Sequence, residues 1–262
     1  MLKSITAFVD SLQAQGRYTF TQSEAMNVDK QSGLAVGAAL RRLKQKGRIA
    51  SPRRGFYVIV PLEYSEAGCL PADWFIHDMM RFLGQPYYVG ILSAAAIHGA
   101  AHQQPMIFQV VTDKPTRSAM AGRIRIGFHV GRHVGKAPVV EIQTETGSMR
   151  VSIPEATAFD LVRFAPAAGH MGNVVNVLSE LVEKVDPQVL VSIADLYAVS
   201  DVQRLGYLLD RIEARRFAEP LAAWLKGRRF RPILLVPSQA KTDLPSDPRW
   251  RVIPNESIEV EI

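Results

Sequence analysis

Two pairs of histidines are the residues of this chain best suited to binding a metal ion. His98 and His102 lie four residues apart on a predicted helix. His129 and His133 repeat this spacing, and four imidazoles can hold Zn²⁺ in a tetrahedral site. However, no glutamate stands between His98 and His102 as the hydrolase motif His-Glu-x-x-His requires, and His133 lies in a loop with a glycine on either side. The sequence therefore predicts no metal site.

A second set of residues is suited to metal-dependent nuclease chemistry. Asp113 and Lys114 follow a predicted strand, and together with Glu141 they resemble the acid, acid and lysine set that holds a divalent cation. The spacing is unsuited to this set, and a second neighbouring acid is missing. We therefore predict no catalytic residue and no cofactor, and a DNA-processing nuclease stays an alternative.

The positive charge of the chain is concentrated at its beginning. The whole chain has 31 basic and 25 acidic residues. Residues 1–60 hold ten basic and three acidic residues, a net charge of +7, which leaves a net charge of −1 for residues 61–262. Clustered Lys and Arg side chains gain binding free energy by releasing counterions from phosphates. This distribution predicts a nucleic-acid-binding segment joined to a neutral domain.

Composition indicates a cytoplasmic protein without a membrane segment. With 262 residues, 47% of them hydrophobic, the chain has room for two domains. Its one cysteine, Cys69, cannot form an internal disulfide. The amino end is a poor signal peptide, and the longest weakly polar stretch, 87–101, is too short to span a bilayer.

Residue spacing predicts three short helices in the basic segment. The first ends before Gly16 and has one apolar stripe, made of Leu2, Ile5, Phe8, Val9 and Leu12. Thr21 and Glu24 form a capping box for a second helix. Ser32 can cap a third helix, which ends at Gly47. Two strands at 49–52 and 56–60 then form a hairpin around a turn at 53–55.

Three helices followed by a hairpin are typical of a winged helix-turn-helix. In that geometry the start of the third helix faces base edges, while the start of the second helix and the hairpin turn, the wing, suit backbone contacts. Basic residues also crowd the end of the third helix. The predicted DNA-binding residues are Thr21, Gln22, Lys30, Gln31, Ser32, Arg41, Arg42, Lys44, Arg53 and Arg54. The alternative is that each cation only complements a helix dipole or keeps the surface soluble.

The rest of the chain alternates short strands and amphipathic helices after a predicted linker at 61–73. Helices are predicted at 73–83, 93–101, 154–165, 173–185, 187–197 and 202–217. Strands are predicted at 106–112, 123–130, 139–143, 150–153, 233–236 and 257–262. The predicted fold is α+β, with a winged-helix domain at 1–62 and a larger domain at 63–262 that contains a short-stranded mixed sheet and several helices.

Three stretches of the chain resemble one known family. They are TFTQSEAMNVDKQSGLAVGAALRRLKQKGRIASPRRGFYVIVP; YYVGILSAAAIHGAAHQQPMIFQVVTDKP, in which a tyrosine-led helix ending in His-Gly precedes a strand; and SIPEATAFDLVRF, with a Pro-Glu-x-Thr-x-x-Asp-Leu helix. The family is that of the AbiEi-type abortive-infection antitoxins, which repress transcription of their own toxin–antitoxin operons. The tail from Asp243 to Ile262 matches no motif of this family.

The resemblance implies a DNA-binding autorepressor and antitoxin that is not an enzyme. Its implied partners are inverted repeats of operator DNA, on which two protomers pair, and a nucleotidyltransferase-type toxin, with which no stable complex is required. The resemblance places neutralisation of the toxin in a region at about 87–164. It places DNA contact on all of the predicted DNA-binding residues above except Lys44. The alternatives are the nuclease already described and a ligand-sensing regulator with a well-formed pocket in its second domain.

Overall fold

The structure, a computed structural model, describes residues 4–28, 33–100, 105–241 and 243–258. These residues form a mixed α+β fold, as predicted. Its ten described α-helices are α1 (Ile5–Ala14), α2 (Gln22–Val28), α3 (Gly33–Gln45), α4 (Ile76–Leu83), α5 (Ile91–Ile97), α6 (Pro154–Arg163), α7 (His170–Leu181), α8 (Pro187–Ser192), α9 (Val199–Arg211) and α10 (Arg215–Leu225). The described strands are β1 (Thr19–Thr21), β2 (Ile49–Arg53), β3 (Phe56–Ile59), β4 (Tyr87–Val89), β5 (Phe108–Thr112), β6 (Ala119–Ala121), β7 (Ile124–Val130), β8 (Val139–Thr144), β9 (Gly147–Ser152), β10 (Ile233–Leu234) and β11 (Val252–Ile253).

The chain packs into two compact units, each made of several segments. Unit one comprises residues 1–88, 106–134 and 141–150, and unit two comprises residues 89–105, 135–140 and 151–262. The predicted boundary between residues 62 and 63 falls inside unit one. The division into a DNA-binding domain and a second domain at that point stays a prediction.

Residues 4–28 and 33–60 form a helical cluster on a small three-stranded sheet. The strands follow the order β1-β3-β2, and both pairings are antiparallel. All six elements contribute buried side chains to one core, which contains Ile5, Phe8, Val9, Leu12, Phe20, Ala25, Val36, Leu40, Leu43, Ile49 and Ile59. Each large apolar side chain buried in this way contributes roughly 1.5–3 kcal/mol. This core fixes the positions of α2 and α3.

A second sheet has six strands in the order β6-β7-β5-β4-β9-β8. β5 pairs with β7 in parallel, β6 pairs with β7 antiparallel, and β4 pairs with β9 in parallel. The sheet is therefore mixed and short-stranded, as predicted. Most of its strand residues belong to unit one.

Helices α5 to α10 belong to unit two, where α6 is central. Every residue of α6 from Glu155 to Val162 is buried, and the helix packs against α5, α7 and α9. A helix that is enclosed on all sides carries mostly small or apolar residues. The alanines and apolar side chains of this segment meet that condition, and Glu155, Thr157 and Asp160 are its buried polar residues.

The segment predicted as a linker is instead packed into unit one. Cys69 and Leu70 are fully buried, and burial raises the pKa of the Cys69 thiol to about 12. The backbone N–H of Arg123 donates to the carbonyl oxygen of Ala67 at 2.8 Å. Gly122 is adjacent, and a side chain there would overlap the backbone of Ala67 and Gly68. The prolines and glycine of this segment mark turns of a packed segment rather than a linker.

Near the carboxyl end one predicted element is wrong, and a second is not found in the part of it that the structure describes. The helix predicted at 202–217 is two helices, α9 and α10, because the chain turns at Glu213, whose φ is +58°. The predicted closing strand at 257–262 is absent from 257–258, and residues 259–262 lie outside the described part of the chain. The partner of β10 is β11, which pairs with it in parallel.

Gly206 provides a test of the packing of unit two. This residue lies inside α9, and a side chain there would overlap the ring of Trp250, which is fully buried. In a helix interior, alanine is normally more stabilising than glycine by about 1 kcal/mol. We expect Gly206→Ala to reverse that sign and to lower the free energy of unfolding by about 1–3 kcal/mol, measured by urea denaturation.

The matched control is Gly172→Ala in α7, where an added Cβ meets nothing within 4 Å. This control should stabilise the protein by roughly 0.5–1 kcal/mol. Equal effects of the two substitutions would contradict the packing of Trp250 on α9.

Candidate nucleic-acid interface

Helix α3 separates an apolar face from a basic face. Its buried residues are Val36, Leu40 and Leu43, which recur at three- and four-residue spacing. Arg41, Arg42 and Lys44 are exposed. The core therefore orients α3 so that these three predicted DNA-binding cations lie in solvent. Among the other predicted residues, Lys30, Gln31 and Ser32 lie outside the described part of the chain.

The start of α2 is held by the predicted capping box. The N–H of Glu24 donates to Thr21 Oγ1 at 3.2 Å, and the Thr21 N–H and hydroxyl donate to Glu24 Oε2 at 2.7 and 2.9 Å. The N–H of Gln22 donates to the carbonyl oxygen of Gly55 at 2.8 Å, which joins α2 to the turn of the β2–β3 hairpin. Thr21 and the Gln22 backbone therefore support the position of α2, besides the DNA contact predicted for them.

Glu24 also forms an ion pair with Arg17. Burial alone would raise the pKa of Glu24, but hydrogen bonds from Arg17 and Thr21 outweigh burial and hold this pKa below its ordinary value. The ionised carboxylate is therefore the form that the folded state favours.

The two arginines of the hairpin have different environments. Arg54 is exposed in the turn. The guanidinium of Arg53 donates to the carbonyl oxygens of Arg117 and Ser118, the latter at 3.1 Å, and lies 5.0 Å from the ring centroid of Phe128. Burial lowers the pKa of Arg53, although a guanidinium stays protonated at neutral pH. Arg53 thus fastens the hairpin to the segment around β6 and β7, a role that the sequence did not indicate.

The family motifs of the second domain meet at Ser152, a fully buried residue at the end of β9. The Nε2 atom of His98 lies 2.7 Å from the Ser152 carbonyl oxygen, so this ring nitrogen carries the proton and donates. The Ser152 hydroxyl lies 2.7 Å from Thr157 Oγ1 and 3.4 Å from the carbonyl oxygen of Val89. We call these four residues the Ser152 network. It links α5, α6, β4 and β9.

The other polar residues of the α6 motif also have structural contacts. Glu155 is buried, and its carboxylate accepts a hydrogen bond from the N–H of Asp186 at 2.7 Å. Asp160 is 1% exposed, and burial, together with the nearby charge of Asp160, raises the pKa of Tyr197. The tyrosines that were expected to lead a helix lie on β4, and α5 begins at Ile91.

The described residues that were considered for enzyme chemistry lie in different environments. Asp113 and Glu141 are both exposed, His98 belongs to the Ser152 network, and His102 lies outside the described residues. Burial lowers the pKa of His129, which favours its neutral form. Across the residues that the structure describes, no three His, Cys, Asp or Glu side chains gather where they could hold a metal ion.

Part of the chain matches a known protein family. Residues 88–211 match the family model described as the AbiEi antitoxin C-terminal domain. This match confirms the resemblance to the AbiEi-type antitoxins and supports an antitoxin role in a toxin–antitoxin or abortive-infection system. The family is not known as an enzyme family.

The fold is similar to that of a solved structure, the crystal structure of the RV2827C protein from Mycobacterium tuberculosis. The TM-score is 0.66 at 16% sequence identity, and the similarity covers 94% of this chain and 89% of that chain. No curated protein matches the chain at a significant level. In the described ranges, none of the helices has the length and apolar character needed to cross a bilayer.

The low pKa of Glu24 generates a prediction about pH dependence. A carboxyl group with a depressed folded-state pKa stabilises the fold above its unfolded-state pKa, near 4.5, and this stabilisation is lost as the pH falls through the folded-state value. We expect Glu24→Gln to be less stable than the parent at neutral pH, with a difference in free energy of unfolding that shrinks on acidification. Urea denaturation at pH 7 and about pH 3.5 measures this difference.

The control for this prediction is Glu213→Gln, which removes an exposed carboxylate at the turn between α9 and α10. A stability deficit of Glu24→Gln that stays constant with pH would show that the carboxylate charge is not responsible.

Proposed function

We propose that the chain is a DNA-binding autorepressor and antitoxin of a toxin–antitoxin operon, with a winged helix-turn-helix in residues 1–62. The observation that carries the DNA-binding part is the exposure of Arg41, Arg42 and Lys44 on α3, opposite the buried stripe of the same helix. The order of the elements and the strand order β1-β3-β2 agree with this class of domain. The antitoxin part is supported by the AbiEi domain at residues 88–211.

In the proposed complex, α3 enters the major groove of operator DNA. Its exposed cations bind phosphates and supply most of the affinity, while residues at its start read base edges. Arg54, exposed in the hairpin turn, binds the DNA backbone next to this groove. Arg53 is a positioning residue in this proposal, because its guanidinium is already bonded to the carbonyl oxygens of Arg117 and Ser118.

The proposed partners follow from the same family. Operator DNA contains inverted repeats, and two protomers pair on the repeated site, since a two-fold protein arrangement matches a palindromic operator. The second domain counteracts a nucleotidyltransferase-type toxin, with which no stable complex is required. A protein that binds the promoter of its own operon acts in the cytoplasm.

Paired substitutions of adjacent arginines test the interface. Arg41→Gln/Arg42→Gln should weaken binding to operator and non-operator duplexes alike, because phosphate contacts carry no sequence information. The logarithm of the association constant falls with the logarithm of the salt concentration. The steepness of this fall should decrease by about 0.9 for each phosphate that the variant no longer neutralises. Fluorescence anisotropy at several salt concentrations measures both quantities.

The control pair is Arg215→Gln/Arg216→Gln, two exposed arginines at the start of α10 that carry the same charge. An unchanged slope for the Arg41 and Arg42 pair, or an equal reduction for the control pair, would remove α3 from the interface.

The same variant tests whether repression and toxin counteraction are separable. Deleting the basic segment is unsuitable, since its residues share the core and the contacts of unit one. We expect the full chain with Arg41→Gln/Arg42→Gln to lose repression of a reporter driven by its own promoter and to keep rescue of cells that express the cognate toxin.

Both readouts are compared at equal cellular levels of protein. Suppose that the variant has the same unfolding temperature as the parent but no longer rescues the cells. This result would show that the toxin is counteracted only through DNA binding. That result would contradict the proposed division of roles, whereas unchanged repression would contradict the proposed DNA interface.

A further inference from the structure

A cavity of about 170 Å³ lies within unit two, between α6, the start of α7 and residues 236–238. Its lining combines the polar side chains of Arg163, Arg204, His170 and Ser238 with apolar ones such as Val162 and Met171. Among its described lining residues there is no Asp or Glu. Two guanidinium groups thus lie against one small cavity whose wall provides no carboxylate.

Arg204 is largely enclosed by the protein and is held by hydrogen bonds to the backbone. Its side chain is 11% exposed, and its Nε–H is shared between the carbonyl oxygens of Leu234 and Leu235, each at 3.1 Å. The Nη1 atom lies 3.7 Å from Asp201 Oδ1, an ion pair without a close hydrogen bond. No hydrogen bond joins either terminal nitrogen to another described residue. The guanidinium therefore keeps donors for a further acceptor.

Arg163 brings a second positive charge to the cavity from the last turn of α6. Its guanidinium carbon lies 5.4 Å from the ring centroid of Phe164. In the described part of the chain no carboxylate lies within ion-pair distance of Arg163. Two like charges at one cavity repel each other in a medium of low dielectric constant, and a bound anion would remove that repulsion.

The start of α7 adds to the positive potential at this cavity. His170, the first residue of the helix, has φ of +71°, a conformation that non-glycine residues rarely adopt. No side chain caps this helix end, and its first turn contains no acidic residue. The backbone N–H groups of the first turn therefore contribute a partial positive charge near the two arginines.

We propose that this cavity binds a phosphate group, either as free phosphate or as the end of a small phosphorylated molecule. Guanidinium groups are suited to phosphate oxygens because their N–H donors form paired, charge-assisted hydrogen bonds. The volume is well below the roughly 300–1,000 Å³ of sites for larger ligands, so a whole nucleotide is excluded. Val162 and Met171 provide an apolar wall for a short organic group.

A bound phosphate would join α6, α7 and the segment after β10, and its binding free energy would add to the stability of the folded chain. The proposal does not depend on DNA binding or on toxin counteraction. A failure of either of those functions leaves this site unaffected.

Isothermal titration calorimetry of the full chain with inorganic phosphate, at constant ionic strength set by chloride, tests the proposal. We expect saturable binding and a phosphate-dependent rise in the unfolding temperature beyond that in chloride. Glycerol phosphate is the second ligand: tighter binding than inorganic phosphate assigns the site to a phosphorylated molecule, and weaker binding assigns it to free phosphate.

Arg163→Gln is the main variant, because Arg163 is half-buried and, unlike Arg204, has no hydrogen bond to another described residue. It should weaken phosphate binding at least about tenfold, the loss expected for one charge-assisted hydrogen bond. Arg215→Gln, which removes an exposed arginine elsewhere in unit two, should leave the affinity unchanged. Absence of saturable phosphate binding by the parent chain, or equal affinity of the parent and Arg163→Gln, would overturn the proposal.

Discussion

The placement of the β2–β3 hairpin depends on the contacts of one guanidinium group. Arg53 donates to the carbonyl oxygens of Arg117 and Ser118 and stacks near Phe128, while the N–H of Gln22 donates to Gly55 on the other side of the hairpin turn. The hairpin is therefore fixed both to α2 and to the segment around β6 and β7. A basic segment that is held in this way presents its exposed cations at defined positions rather than on a mobile arm.

The Ser152 network has the corresponding importance in unit two. The carbonyl oxygen of Ser152 accepts a hydrogen bond from His98, and its hydroxyl bonds with Thr157 and donates to the carbonyl oxygen of Val89. Glu155 accepts a further hydrogen bond from the N–H of Asp186. Buried polar groups of this kind are costly when unpaired and specify one arrangement when all are satisfied. The His-Gly and Pro-Glu-x-Thr motifs, which resemble family motifs, therefore have clear structural roles.

Sequence patterns predict the elements that are fixed by residues close together in the chain. They do not predict the contacts between residues far apart in the chain. The capping box of Thr21 and Glu24 spans four residues, and the stripe of α3 recurs within one helix, so both can be read from spacing alone. The contact of Arg53 with Arg117 joins residues 64 positions apart, and no local pattern indicates it. The same holds for β10 and β11, two-residue strands whose pairing depends on a partner almost 20 positions away.

Unit one is assembled from residues 1–88, 106–134 and 141–150, and unit two includes residues 89–105. A ribosome delivers the chain from its amino end at about 5–20 residues per second. The basic segment is therefore synthesised before the rest of its unit, and that unit is complete only after Arg150 has left the exit tunnel. Unit two in turn waits for Trp250 and β11. Neither unit can therefore complete its folding until more than half of these residues have been synthesised.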